Sequence, residues 1–147
     1  MSKLISTKGR YAMRLMLDIA LYEKNGAINI KDISDRQDIS PKYLEAIISN
    51  LNHAGLVRSV RGPRGGYILT KRPEEYTVGV IIRAVEGDLS IVPCVKEGSH
   101  YCSRFENCTT VKLWAKIDDA LLSVIDNITL ADMISWEKTG NVIHIDK

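Results

Sequence analysis

Cysteine is missing from the first 93 residues and from everything after residue 108. The three cysteines that exist, Cys94, Cys102 and Cys108, share one stretch, PCVKEGSHYCSRFENC. An odd number of thiols on one loop argues against a disulfide framework and for ligation or redox chemistry. Also absent is any run of about 18 apolar residues, which excludes a membrane-spanning helix. The first residues, MSKLISTKGRYAM, carry no apolar signal core or cleavage site, so a cytoplasmic protein with no membrane partner is expected. No internal repeat or low-complexity segment is present, which excludes a repeat array. The glycine-rich stretch at 61–66 lacks the lysine-serine pair of a nucleotide-binding loop, and no helix opens directly after it. The histidines, His53, His100 and His144, are scattered, so no histidine–acid pair stands ready to activate a cysteine, and an enzyme is not expected.

What is present suits one domain, or a small domain with an appendage: 45% apolar and 26% charged residues can bury an ordinary core. The net charge of +2 hides an asymmetry. Residues 1–72 carry 13 Lys/Arg against 6 Asp/Glu, whereas residues 73–147 carry 7 against 12. The first half is therefore the one drawn to polyanions, which places a nucleic-acid face there.

Tyr11, Leu15, Ile19 and Tyr22 recur at helical spacing and predict a helix over 7–23, stopped by Asn25-Gly26. Lys8, Arg10 and Arg14 sit in its first turns, against the macrodipole preference for acids. A nearby phosphate would make them favourable; plain solvation is the alternative. A short strand is expected at 27–30. Asn29 then caps a helix over 30–37, with Asp32 at its third position. After a tight turn at Asp38-Ile39, Ser40 caps and Pro41 opens another helix, whose apolar stripe is Leu44, Ile47, Ile48 and Leu51 and which ends at Gly55.

Two short helices joined this way predict a helix-turn-helix. The outward residues near the start of the second helix, Ser40, Lys42, Tyr43, Glu45 and Ala46, would reach base edges. Glu45 repels phosphate but can accept from a cytosine amino group; a solvated glutamate is the alternative. Two β-rich runs, 56–60 and 67–70, flank Arg61-Gly62-Pro63-Arg64-Gly65-Gly66 and predict a hairpin wing. Arg61 and Arg64, with Gly65 allowing close backbone approach, suit a minor groove.

After a polar connector, Thr77 caps a helix over 78–85. Beyond the cysteine loop a long helix from Thr109 or Thr110 to about Asn127 carries Trp114, Ile117, Leu121, Val124 and Ile128 three and four apart. That stripe either packs on its own domain or forms a seam with a second copy, and paired reading of DNA favours a homodimer. Thr129 and Asp132 form a capping box for a last helix to about Glu137. The fold class expected is mainly α with a small β-hairpin wing. It comprises a winged helix-turn-helix domain (1–76), a cysteine loop with dimerisation helices (77–137) and a flexible tail (138–147).

The gaps between the cysteines are seven and five residues, longer than the paired spacing usual for zinc. Three thiols suit an iron–sulfur cluster, zinc completed by His100, or a metal-free thiol switch, and the loop alone leaves all three open.

Several stretches match a known family: Ser6-Thr7-Lys8-Gly9-Arg10-Tyr11-Ala12, Ile39-Ser40 with Tyr43-Leu44-Glu45, Ala54-Gly55-Leu56-Val57, Ser59-Val60-Arg61-Gly62-Pro63, Gly65-Gly66-Tyr67, the three cysteines, and Asn127-Ile128-Thr129-Leu130. The chain resembles the Rrf-type winged helix-turn-helix transcription regulators, and among them most the iron–sulfur cluster regulators, over about residues 3–135. The resemblance implies a homodimer on palindromic double-stranded promoter DNA, with Cys94, Cys102 and Cys108 holding a [2Fe-2S] cluster whose state alters DNA binding. It also marks a departure. Where the family places a histidine ligand, this chain has Val111, and where some relatives supply an acidic ligand from the partner, it has Lys8. Neither can ligate, which leaves a fourth ligand unassigned and His100 as the candidate inside the loop.

Overall fold

The computed structural model describes residues 5–98 and 102–140. Six helices and one hairpin follow in the order α1 (Thr7–Tyr22), α2 (Ile30–Gln37), α3 (Pro41–His53), β1 (Val57–Val60), β2 (Gly66–Leu69), α4 (Val78–Glu86), α5 (Thr109–Ile125) and α6 (Leu130–Thr139). The caps expected from local chemistry are in place. The side chains of Asn29, Ser40, Thr77 and Thr129 accept from Asp32 N, Tyr43 N, Val80 N and Asp132 N. Each satisfies one of the orphan amides that a helix start leaves. Asp38, in the left-handed region at φ 53°, turns the chain between α2 and α3.

The strand expected at 27–30 shrinks to a single bridge, Ile28 with Tyr67. Its two backbone hydrogen bonds measure 2.9 and 2.8 Å. Asn29 cannot continue the strand because its side chain is already turned to cap α2. The hairpin is antiparallel, with Val57 opposite Leu69 and Val60 opposite Gly66. A Cβ on Gly66 would lie 2.3 Å from Ile28 O, so only glycine lets the wing approach the α1–α2 connection this closely.

One apolar core joins α1, α2, α3, the hairpin, α4 and the start of α6. Leu15, Met16, Ile19, Ile33, Leu44, Ile47, Leu51, Tyr76, Ile81 and Leu130 are all fully buried in it. The packing thus continues across residue 76. A smaller cluster of Ile82, Leu89 and Ile125 seats α5 on α4. Among the described residues no helix is long and apolar enough to cross a membrane.

Long-range polar contacts fix the helices to each other. Asp18, buried within α1, accepts from Arg36 Nε (3.0 Å), Arg36 Nη2 (2.6 Å) and Gln37 Nε2 (2.8 Å), which ties α2 to α1. Buried Tyr76 donates to Leu56 O at 2.8 Å and accepts from Thr70 N and Lys71 N at 2.9 Å, closing the base of the wing. The Arg83 guanidinium grips Asp126 through two bonds of 2.6 and 2.9 Å. Asp126 is also the C-terminal cap of the long helix, which ends at Ile125, two residues before the expected Asn127.

Those bonds from Arg83 hold the Asp126 carboxyl below the usual carboxylate range, outweighing the opposing effect of partial burial. A depressed folded-state value means that the pair contributes fully above the unfolded value of about 4 and is lost as pH falls through the folded one. Asp126→Asn is therefore expected to lower the urea midpoint at neutral pH, with the difference from the parent protein shrinking below about pH 4. A gap that stays constant down to acid would show that the pair does not respond as argued.

Candidate nucleic-acid interface and cysteine loop

The apolar stripe of α3 sits in the core and turns its other side to solvent. Ser40, Lys42, Tyr43, Glu45 and Ala46 are all exposed along that side. The Tyr43 ring meets Tyr11 of α1 edge-on at 5.6 Å, and the Arg14 guanidinium lies 5.3 Å from the Tyr11 ring centre. Arg14 also bonds to Gln37 through both its side chain and its backbone carbonyl, at the end of α2. The start of α3 is thus braced by α1.

Lys8 and Arg10 occupy the first turn of α1, beside this surface. Arg10 Nη2 donates to Thr7 Oγ1 at 2.9 Å. With the Asn50 amide turned so that its nitrogen donates to Ala46 O at 3.1 Å, its oxygen accepts from Lys8 Nζ at 3.0 Å. Lys8 is thereby brought onto α3. At the wing tip Arg61 and Arg64 are exposed, and neither pairs with a carboxylate among the described residues. Gly65 N donates to Gly62 O at 2.9 Å, and a Cβ on Gly65 would stand 2.4 Å from Val60 O. The ten residues expected on the nucleic-acid side therefore come from three elements, the start of α1, α3 and the wing.

The cysteine loop leaves α4 at Gly87. Asp88 pairs with Lys96 at 3.5 Å, and buried Asp118 of α5 accepts from Ile91 N at 3.1 Å. Cys94 lies in a short 3-10 turn, Pro93–Val95, and borders a cleft of about 450 Å³ with Phe105, Val111 and Asp118. Cys102 is exposed, and Cys108 occupies the position before the first turn of α5. All three thiols are free. Cys108 Sγ stands 3.2 Å from Thr110 Oγ1. That hydroxyl, then the backbone N–H of Val111, holds the thiol below its ordinary range, with Arg104 adding attraction for the thiolate. Among the described residues no three His, Cys, Asp or Glu side chains stand together as a metal site. His100 and the residues of the tail from 141 onward lie outside the described residues.

The long helix presents apolar surface that the rest of the described chain does not cover. Ile125 is buried, and Trp114 and Leu121 are half-buried. Leu113, Ile117 and Val124 are 50%, 43% and 53% exposed.

Residues 5–135 match the model of the Rrf2 family, described as an iron-dependent transcriptional regulator. The chain belongs to the Rrf2 family. It is 41% identical over 138 residues to the HTH-type transcriptional regulator IscR of Pectobacterium atrosepticum, covering 94% of this chain and 83% of that one. Its fold is similar to T. potens IscR, with a TM-score of 0.77 at 36% identity over 96% of this chain and 93% of that one. It is also similar to CymR, the global cysteine regulator of B. subtilis, with a TM-score of 0.76 at 39% identity over 92% and 98% of the two chains. The protein is thus an Rrf2-type transcription regulator with the winged helical fold.

Sequence reasoning missed the residues that fix these elements to one another: Asp18 with Arg36 between α1 and α2, Tyr76 at the base of the wing, Asp118 at the cysteine loop, and Arg83 with Asp126. One signal was available. Asp18 and Asp118 fall in register with their helices' apolar stripes, three residues after Leu15 and four after Trp114, where a carboxylate is buried only with partners.

Proposed function

We propose that this Rrf2-family regulator binds double-stranded promoter DNA as a homodimer and reports iron–sulfur status through a [2Fe-2S] cluster held by Cys94, Cys102 and Cys108. The observation that carries this reading is the pairing of an exposed recognition surface with three free thiols on a loop fastened to α5. The donor chemistry fits such a cluster: iron–sulfur iron takes thiolates, and Cys108 is already biased toward that form. A cluster bound there would supply redox-active iron, labile because its fourth ligand is not a cysteine of this chain. The chain's own part is to present the thiols and to anchor both ends of the loop, at Asp118 and at the start of α5. Lys8, Arg10, Arg61 and Arg64 contact the DNA backbone or minor groove. Ser40, Lys42, Tyr43, Glu45 and Ala46 face the base edges, and Gly65 brings the wing backbone close.

Anaerobic reconstitution with iron and sulfide tests this. A brown protein with visible charge-transfer absorption and stoichiometric iron and sulfide is expected; a colourless protein binding neither sinks the cluster reading. A second reading, a thiol switch or zinc in the same loop, is favoured by the lowered Cys108 thiol and by the likeness to a cysteine regulator. Stoichiometric zinc, or a disulfide that alters DNA affinity in metal-free protein, decides for it.

Glu45→Ala is expected to change which bases are selected more than the overall affinity, because a carboxylate reads a cytosine amino group while repelling phosphate. Selection from a random DNA pool with each protein checks this. Equal loss of affinity on every sequence would contradict it.

A further inference from the structure

We infer that Glu86 is a positioning residue for DNA binding: it fixes the start of α1 so that Lys8 is held on the recognition-helix side, where the DNA backbone passes. The inference rests on the DNA-binding reading above. Glu86 ends α4, yet one of its carboxylate oxygens, Oε1, accepts from Ser6 N at 2.8 Å, Ser6 Oγ at 2.6 Å and Gly9 N at 3.0 Å. Ser6 Oγ in turn accepts from Lys8 N at 3.1 Å and Gly9 N at 3.4 Å. The backbone of Lys8 is therefore set two bonds away from Glu86, and its side chain runs on to Asn50 of α3. The fit is close, since a Cβ on Gly9 would stand 2.4 Å from Glu86 Oε1.

This arrangement accounts for an oddity of the sequence. The first turn of α1 contains no acidic residue, and Lys8 and Arg10 there oppose the helix dipole. Glu86 supplies the missing negative charge from another helix. The first turn can then keep its cations, with Arg10 exposed and Lys8 laid against α3, on the side where a polyanion would meet them. A carboxylate that merely capped α1 would stabilise the fold without altering the response of DNA binding to salt. A carboxylate that positions Lys8 makes a phosphate contact depend on it.

The probe is a duplex that the parent protein selects from a random pool, titrated at several salt concentrations. Glu86→Ala is expected to weaken binding roughly five- to tenfold and to reduce the salt slope by about one per protomer, matching Lys8→Ala. The double variant should lose no more than either single one, because both remove the same contact. Glu86→Gln loses the charge but keeps an oxygen acceptor for Ser6 and Gly9, whose bonds place Lys8, and should recover most of the affinity; binding as weak as that of Glu86→Ala counts against the inference. An unchanged salt slope in folded Glu86→Ala, or losses that add in the double variant, overturns the inference. If Lys8→Ala binds as the parent does, the inference also fails while the DNA-binding reading stands; a parent protein that selects no duplex at all removes that reading instead. Should Glu86→Ala not fold, Ser6→Ala, which takes one partner from the same carboxylate, is expected to move affinity and slope in the same direction by less. No movement there counts against the inference.

Discussion

Ile117→Asp is expected to leave the protein monomeric and to weaken its binding to a two-fold-related DNA site by at least about a hundredfold. The side chain is 43% exposed in the protomer, with Leu113 and Val124 beside it on the helix stripe at 50% and 53%. A carboxylate there is solvated in the monomer and costs the protomer little. In a seam between two α5 helices it would instead be buried opposite its own copy, without a counter-charge. DNA affinity follows because linking two half-site readers makes the second contact effectively intramolecular, and a monomer loses that gain. Light scattering and a DNA titration read the two effects separately. A dimeric mass with parental affinity would place the seam on another surface.

Gly66→Ala is expected to destabilise the protein by on the order of 1–3 kcal/mol, the range for forcing an extra methyl into a filled space, and to weaken DNA binding beyond that loss of stability. The new Cβ would meet backbone atoms: Ile28 O at 2.3 Å, Ile28 C at 2.4 Å and Asn29 N at 2.7 Å. None of these can swing aside as a side chain can. Relief requires parting the Ile28–Tyr67 bridge, whose two hydrogen bonds hold the wing to the connection before α2. The wing then loses its fixed angle, and Arg61 and Arg64 at its tip are no longer held in one place. Urea midpoints and DNA titrations under conditions where the variant is fully folded separate stability from wing placement. A parental midpoint would mean that the bridge relaxes without cost.

The expected element order and the caps were legible because their chemistry is local. Asn29, Ser40, Thr77 and Thr129 each bond an amide three residues ahead, so the sequence window that names the cap also contains its partner. The stripe of α3 works the same way: burying Leu44, Ile47, Ile48 and Leu51 leaves Lys42, Tyr43 and Glu45 on the open side of a 3.6-residue helix. Gly65 was recognisable as permitting close approach, although what it approaches was not.

The stripe of α5 shows where that reasoning stops. Its spacing fits packing at home equally well as packing on a copy, and only the exposure of Leu113, Ile117 and Val124 favours the second. The cysteine loop is similar. Composition marks the thiols, but the lowered Cys108 depends on its seat at the start of α5 beside Thr110.

By itself, then, the sequence determined the helices, their caps, the wing, the outward residues of α3 and the clustering of three thiols. All of these follow from contacts a few residues apart and from the helical and strand periods. The tertiary structure alone decided which surfaces are braced. Glu86 reaches Ser6 and Gly9, Asp18 takes Arg36 and Gln37, Arg83 grips Asp126, and Gly66 admits Ile28. These partners are separated by 18 to 80 residues along the chain, and no local propensity selects one distant partner over another. That selection is made when the shared core packs, because packing the helices against one another fixes which polar groups are buried within reach of each other.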